Sequence, residues 1–328
     1  MAIDSSRILV VGAGVNGSVC AVGLHNAGFN VTILARGTRF EEINEKGIII
    51  EDQFRHTRSV TRLPVVDVLS PTDYYDYILV VVRKNQVYDL LPILAQNASP
   101  NVVFMINNPS GPKEYTERLD KKRVMLGFGF AGGRREGDTI RAMIPKSRWF
   151  AAPFGELDGS ITPRLKRLVA ILRHAGLRAA MSRKMPEWQS THAALVPCFA
   201  VPLMKYHLDV KALVKSDADL GLMIDAMRET LDVLEALGLQ VIPRSTHVIQ
   251  YIPRFVLIRV LRMALPSKFV EVGGVWHVSQ AADEMEELAK ELGMLVEKSG
   301  LPVPELKKLL SGDFSQEQRP MRDIYRRT

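Results

Sequence analysis

Residues 7–36 read RILVVGAGVNGSVCAVGLHNAGFNVTILAR, and this stretch decides the fold. Ile8 to Val11 is a short apolar run rich in β-branched residues, the pattern of a buried strand. Gly12, Gly14 and Gly17 follow in G-x-G-x-x-G spacing, an apolar helix runs to Gly28, and Val31–Leu34 forms a second strand. In such a unit the first glycine allows a tight turn, the second lets the backbone approach a pyrophosphate, and the third lets the helix pack on the strand. The helix N-terminus then offers free N–H groups and the positive end of its dipole to the phosphates. Strand, turn, helix and strand in that order convert a common glycine pattern into a dinucleotide-binding fingerprint. The expected cradle is Gly12, Ala13, Gly14, Val15, Asn16 and Gly17.

The end of the second strand bears on which dinucleotide is taken. An NAD site places an acidic residue there to accept from the ribose 2′-OH. This chain has Arg36, with Arg39 close behind. A guanidinium cannot accept that bond but pairs well with a 2′-phosphate, so NADP(H) is the expected cofactor. The competing reading makes both arginines solvated loop charges.

Working outward, 328 residues suggest about two domains. With 47% hydrophobic and 24% charged residues, the composition is that of a globular protein. Cys20 and Cys198 are far apart in apolar surroundings, which suggests neither a metal site nor a disulfide framework and fits a reducing cytoplasm. The start lacks the pattern of a signal peptide, and no apolar run has the length of a membrane span. The net charge of +7 suits small anionic ligands; no basic block with interleaved aromatics argues for nucleic acid.

Strands expected at Ile48–Glu51, Asp76–Val82, Asn101–Ile106 and Arg123–Phe128 alternate with helices at Phe40–Lys46, Val87–Gln96 and Lys113–Leu119. Gln53–Arg62 reads as exposed loop or edge strand, and Gly129–Gly137 as a turn. The fold class is therefore α/β, a Rossmann-type doubly wound parallel sheet over residues 1–160. Ligands bind beyond the carboxyl ends of such strands, which puts the glycine turn, Arg83–Gln86 and Asn107–Gly111 on one rim. Residues 161–328 carry helical patterns and form an all-helical second domain. A helix starts at the Thr162 cap with Pro163 in its first turn and ends at Gly176. Pro197 and Pro202 are expected to kink or interrupt the apolar run Trp188–Met204. Further helical stripes stop at Gly238, span Val248–Leu265 and stop at Gly300, and the basic tail Arg319–Thr328 is expected to fray.

At this point the sequence resembles the ketopantoate reductase (2-dehydropantoate 2-reductase) family. The motifs are GAGVNG with ARG after the second strand, VVVRKNQV, NNPSG and GFGFAGGRREG, then EWQSTHAALVPCFAVPL, DEMEEL and SGLPVPEL. The resemblance implies hydride transfer from NADPH to the ketone carbon of a 2-oxo acid, with a small anionic 2-oxo acid or ketone as substrate and a homodimer left open. It also implies that Arg36 binds the 2′-phosphate and that Arg83 and Gln86 contact the cofactor, with Lys84 one step off that register. Asn108 matches an asparagine near nicotinamide and substrate, followed here by Pro109 where the family has glycine. Gly132 lies in the next cofactor-facing turn.

The catalytic positions depart from the family. Its general-acid lysine falls at Ser190, and a hydroxyl cannot supply a proton as an ammonium can. His192 is the nearest titratable replacement, or else a structural histidine on an apolar helix; Lys184 is a weaker candidate. The family glutamate falls at Glu284, which also lies nearest the apolar stripe of its helix, in contrast to Asp283, Glu286 and Glu287. Its other reading is an acid favoured by the helix start. Before that helix, ALPSKFVEVGGVWHVSQ replaces a serine-rich stretch; Gly273-Gly274, Trp276 and His277 suggest a reshaped pocket, and Lys268 could meet a carboxylate. Two alternatives stay open: an opine-type dehydrogenase using His192, and an NADP(H)-binding sensor or partner protein without catalysis.

Overall fold

The structure is a computed structural model and describes residues 5–145 and 151–312. β1 (Arg7–Val11) passes through the glycine turn into α1 (Val15–Asn26), and β2 (Asn30–Leu34) returns parallel to β1. Ile8, Leu9 and Val10 are wholly buried, as expected of a strand covered on both faces. There follow α2 (Thr38–Lys46), β3 (Ile48–Asp52), β4 (Thr57–Thr61), β5 (Val65–Val66), β6 (Tyr77–Val80), α3 (Val87–Gln96), β7 (Val102–Phe104), α4 (Lys113–Thr116) and β8 (Val124–Gly127). β9 (Gly132–Glu136), β10 (Thr139–Met143), β11 (Ala152–Glu156), α5 (Pro163–His174) and β12 (Ala179–Met181) complete this half.

Eight strands form one sheet in the order β12-β11-β8-β7-β6-β1-β2-β5. β11 runs antiparallel to β8, so it and β12 oppose the other six. The chain steps outward from β1 to β2 and β5, then returns to the other side of β1 as β6. That reversal opens a crevice at the carboxyl ends of β1 and β6, the place where doubly wound sheets bind ligands. A second sheet, β4-β3-β10-β9, packs beside it.

Two expectations are corrected in this half. Residues 132–136 form strand β9 of a hairpin with β10 and not only a turn. Its glycines serve close packing: a Cβ on Gly132 would lie 2.4 Å from the Gly273 Cα. The division expected after residue 160 assigns α5 and β12 to the helical part, whereas β12 pairs with β11 in the large sheet. Gln53–Arg62 includes the edge strand β4, as one of its two readings had it.

Beyond β12 the chain is helical: α6 (Met185–Lys205), α7 (Val210–Leu213), α8 (Asp217–Ala236), α9 (Val248–Tyr251), α10 (Arg254–Ala264) and α11 (Lys268–Val270). A π-helical turn, Glu271–Val275, leads into α12 (Trp276–Gln280), α13 (Ala282–Ser299) and α14 (Pro304–Leu310). Pro197 and Pro202 do not interrupt α6, which is continuous around both. Both prolines are buried, and their neighbours Cys198 and Val201 join a core shared with α8, α13 and α14, so packing offsets the missing N–H groups. The Val248–Leu265 pattern instead breaks before Pro253, which cannot extend a preceding helix. α13 stops where expected, at Gly300 with φ 66°. The tail Arg319–Thr328 lies outside the described residues. No described helix is long and apolar enough to cross a membrane.

Candidate active site

The glycine turn has the geometry its spacing requires. Gly12 holds φ 103°, and a Cβ there would meet the Val81 carbonyl oxygen at 2.4 Å, so β1 and the loop after β6 touch at this point. Gly17 lies under the turn, where a Cβ would overlap the Gly12 carbonyl oxygen at 1.8 Å. Gly14 differs: nothing lies within 4 Å of its Cβ position. It opens α1 without any side-chain cap, so the first N–H groups of a three-turn helix face open space. A pyrophosphate fits these groups, which are the donors it requires.

Around this cradle the expected residues divide by what they already hold. Ala13 is held by its carbonyl, which accepts from Ser18 Oγ at 3.2 Å and from Arg39 Nε at 3.3 Å. Val15 packs under Gly133. Asn16 Oδ1 accepts from the backbone N–H groups of Phe130 and Ala131 at 2.7 and 2.9 Å, so it anchors the neighbouring loop. Arg36 is exposed and makes no hydrogen bond or ion pair among the described residues, which leaves its guanidinium available at the end of β2. Arg39 is not the solvated loop charge of the competing reading. It is buried, and besides Ala13 it holds Glu42 and the Asp138 carbonyl.

The loops after β6 and β7 hold the polar groups of the rim. Arg83 donates to Asp283 at 2.9 Å and to the Gln280 carbonyl, so its charge joins the sheet to the helical half. Gln86 is exposed, and its Oε1 accepts from the Arg83 N–H at 3.4 Å, capping the short 3-10 turn Lys84–Gln86. Asn108 is wholly buried. Its Oδ1 accepts from Lys84 Nζ at 3.2 Å and its Nδ2 donates to the Gly111 carbonyl at 2.6 Å, so both ends of the amide are engaged within the fold. The asparagine that reaches the carboxylate of the rim is its neighbour: Asn107 Nδ2 donates to Glu284 Oε1 at 3.2 Å. Asn107 Oδ1 is a buried acceptor left without a partner among the described residues.

Glu284 is brought to this rim. Its carboxylate is 3% exposed and sits over the carboxyl ends of β6 and β7. Oε1 accepts from the Lys84 N–H at 3.4 Å as well as from Asn107, and Oε2 lies 3.3 Å from His277 Nε2. Burial pushes this carboxyl up, but the hydrogen bond and charge of His277, with Asn107 and the Lys84 N–H, outweigh it and hold Glu284 below the usual carboxylate range. His277 lies on α12, which Gln280 clamps to β9: its Oε1 accepts from the Arg135 N–H at 2.8 Å and its Nε2 donates to the Arg135 carbonyl at 2.7 Å. Trp276, next to His277, carries the Arg134 guanidinium 4.2 Å above its ring. Gly132 completes this contact from the β9 side.

On α6, Ser190 is buried, its Oγ 3.8 Å from where a Cβ on Gly111 would stand, so the helix meets the loop after β7. His192 stacks on Trp188 at 5.2 Å and meets Phe128 edge-on at 4.5 Å. Burial, then the charge of His277, lowers its imidazole to about 4. That shift favours the neutral ring at pH 7 and with it the structural reading of this histidine. Lys184 is an exposed partner of Glu187 at 3.1 Å, and Lys268 opens α11 at the surface. Among the described residues no group of three or more His, Cys, Asp or Glu could hold a metal ion.

Two features escape the reading of the sequence. Lys84 is wholly buried, bonded to Glu114, to Glu291 Oε1 at 3.0 Å and to Asn108. Its only signal is position, directly after a strand whose end must turn. The His277–Glu284 pair is the other; the spacing of seven residues across a helix junction carries no pattern of its own.

Residues 8–151 match the model of the family described as ketopantoate reductase PanE/ApbA. No curated protein sequence shows a match to the chain. Among solved structures, a D-mandelate dehydrogenase with NADH and anilino(oxo)acetate aligns at TM-score 0.74 and 15% identity, covering 93% of this chain and 96% of that one. A PanE/ApbA family ketopantoate reductase from Ralstonia eutropha JMP134 aligns at TM-score 0.73 and 17% identity, over 93% and 96%. The 2-dehydropantoate 2-reductase of Methylococcus capsulatus aligns at 0.68 and 19%, over 93% and 94%. At these identities the likeness is one of fold, and it extends over both halves of the chain.

Proposed function

We propose that this chain, whose residues 8–151 match the model of the ketopantoate reductase PanE/ApbA family, is a divergent member that reduces a 2-oxo acid or related ketone with NADPH. The observation that carries the reading is Glu284. A helix of the second half delivers a buried carboxylate to the carboxyl ends of β6 and β7, beside an uncapped glycine turn. Ligand, cofactor and this carboxylate would then meet in the crevice at the strand-order reversal.

The bound cofactor would supply a hydride to the ketone carbon. The chain's own residues do the rest. Gly14 and the first turn of α1 hold the phosphates, and Arg36 favours the 2′-phosphate and so NADPH over NADH. Ser190 closes the wall between α6 and the loop after β7, in the position where the family has its lysine. A substrate ketone fits the D-mandelate dehydrogenase comparison as well as the ketopantoate reductases, since both groups of neighbours carry 2-oxo or 2-hydroxy acid names. We assign the two parts as a sheet domain ending after β12 and a helical domain from α6 onward, in a cytoplasmic protein with reduced Cys20 and Cys198.

The test is cofactor binding followed by turnover. NADPH is expected to bind at least about tenfold more tightly than NADH, the order of one charge-assisted contact. Oxidation of the bound NADPH is expected with some members of a panel of 2-oxo acids that includes ketopantoate. NADPH binding without oxidation by any ketone would instead favour a sensor or partner protein.

A further inference from the structure

A ketone reductase needs a proton donor at the carbonyl oxygen, and the two candidates on α6 cannot supply it. Ser190 is a hydroxyl, and His192 is a neutral ring held between Trp188 and Phe128. The rim holds another imidazole. His277 Nε2 faces Glu284 Oε2 at 3.3 Å, while Glu284 Oε1 is fixed by the Lys84 N–H and by Asn107. A carboxylate anchored in this way holds an imidazole in one orientation, with Nε2 toward Oε2 and Nδ1 turned away. Nδ1 makes no hydrogen bond among the described residues, and 43% of the side chain is exposed, so the ring can exchange protons with solvent. The Gln280 clamp to β9 fixes the helix that carries it.

Resting on the reductase reading above, we propose that His277, oriented by Glu284, is the general acid of the reaction and takes over the proton-donor role vacated at Ser190. As the hydride reaches the ketone carbon, the C=O π bond breaks and its electron pair moves to oxygen. Nδ1 of the protonated imidazole gives its proton to that oxygen, an O–H bond forms, and the product is the 2-hydroxy acid. His277 becomes neutral and recovers a proton from water. Glu284 stays ionised throughout and acts as a positioning residue. Other titratable and charged groups on the elements around α12 include Glu271 on the π turn, Arg134, Arg135 and Glu136 on β9, and Asp283, Glu286 and Glu287 on α13. Arg83 donates to the Gln280 carbonyl of α12, and His192 on α6 feels the charge of His277.

The experiment compares wild type, His277→Ala and His277→Gln, each loaded with NADPH, on the best 2-oxo acid of the panel. In both variants kcat is expected to fall about 10²–10⁴-fold, the usual worth of a general acid, with NADPH affinity within about threefold of wild type. A second readout does not use turnover. In the NADP⁺ complex, diethylpyrocarbonate is expected to modify His277, located by mass spectrometry, and the 2-oxo acid analogue oxamate is expected to protect it. Wild-type turnover that survives unchanged in both variants, or modification that oxamate leaves untouched, overturns the assignment and keeps the reductase. A wild type that binds NADPH and reduces no ketone overturns the reductase reading itself, and His277 as its acid goes with it.

Discussion

α13 carries two buried carboxylates seven residues apart, two turns along one face, and they hold opposite kinds of partner. Glu291 meets Lys84, whose side chain is 0% exposed and is also bound by Glu114 and Asn108. Glu284 meets His277, which stays 43% exposed. The Glu291–Lys84 pair joins the helical half to the loop after β6, while His277–Glu284 lies within the helical half and reaches that loop through the Lys84 N–H. A cation sealed among three acceptors and two tyrosine rings is out of reach of a ligand and serves as a clasp. An imidazole open on one side can be reached by a ligand. The difference lies in access, not in charge.

Removing the sealed cation should have the largest effect. Lys84→Ala leaves the buried Glu291 and the half-buried Glu114 without their counter-charge, and a loss of about 3–5 kcal/mol is expected by denaturant unfolding. Glu114 shows the balance at stake: even with Lys84 present, burial holds its carboxyl above the usual range. His277→Ala should cost clearly less, because the Lys84 N–H and Asn107 still hold the Glu284 carboxylate. Equal losses in the two variants would erase the distinction between clasp and donor.

The next effect concerns His192. Its folded-state value is depressed to about 4 from 6.5, so the unfolded chain binds more protons between those values. Stability is therefore full above about pH 6.5 and is lost as pH falls toward 4, by up to about 3 kcal/mol. His192→Phe, which keeps a ring between Trp188 and Phe128, should flatten that slope. A slope unchanged in the variant would return His192 to the list of exposed, titrating groups.

The same contrast of held and free extends to the arginines after β2. Arg36 is free and Arg39 is held, so Arg36→Ala should weaken NADPH binding about 10- to 100-fold with little change for NADH and no loss of stability. Arg39→Ala should instead lower stability by releasing the Ala13 and Asp138 carbonyls. Smallest is the acid response of Glu284. Its folded value is lowered, so its contribution is present above the ordinary glutamate range and is lost as pH falls through the folded value. Glu284→Gln should lack that acid loss, which pH-dependent unfolding of the two proteins will show.

Much of the fold was legible because local patterns and tertiary packing agree there. The β1–α1–β2 unit, the Thr162 cap with Pro163, and the Gly300 stop all appear where their residues signal them. The failures have physical causes. α6 runs through Pro197 and Pro202 because long-range packing overrides a local breaker, and β9 is hidden by glycines that serve a contact with Gly273. At the site, Glu284 could be reached from helical phase. Asn107 and Lys84 could not: motif matching favours Asn108 and Arg83, whereas Asn107 is the asparagine that reaches Glu284 and Lys84 the cation that reaches Glu291. Pairing across residues some 200 apart leaves no trace in spacing.

The central claim is tested most directly by following nicotinamide oxidation with the purified chain, NADPH and NADH in turn, across the panel of 2-oxo acids. The prediction is ketone-dependent oxidation with NADPH preferred. NADPH bound tightly but oxidised by no member of the panel, or a clear preference for NADH, would contradict it.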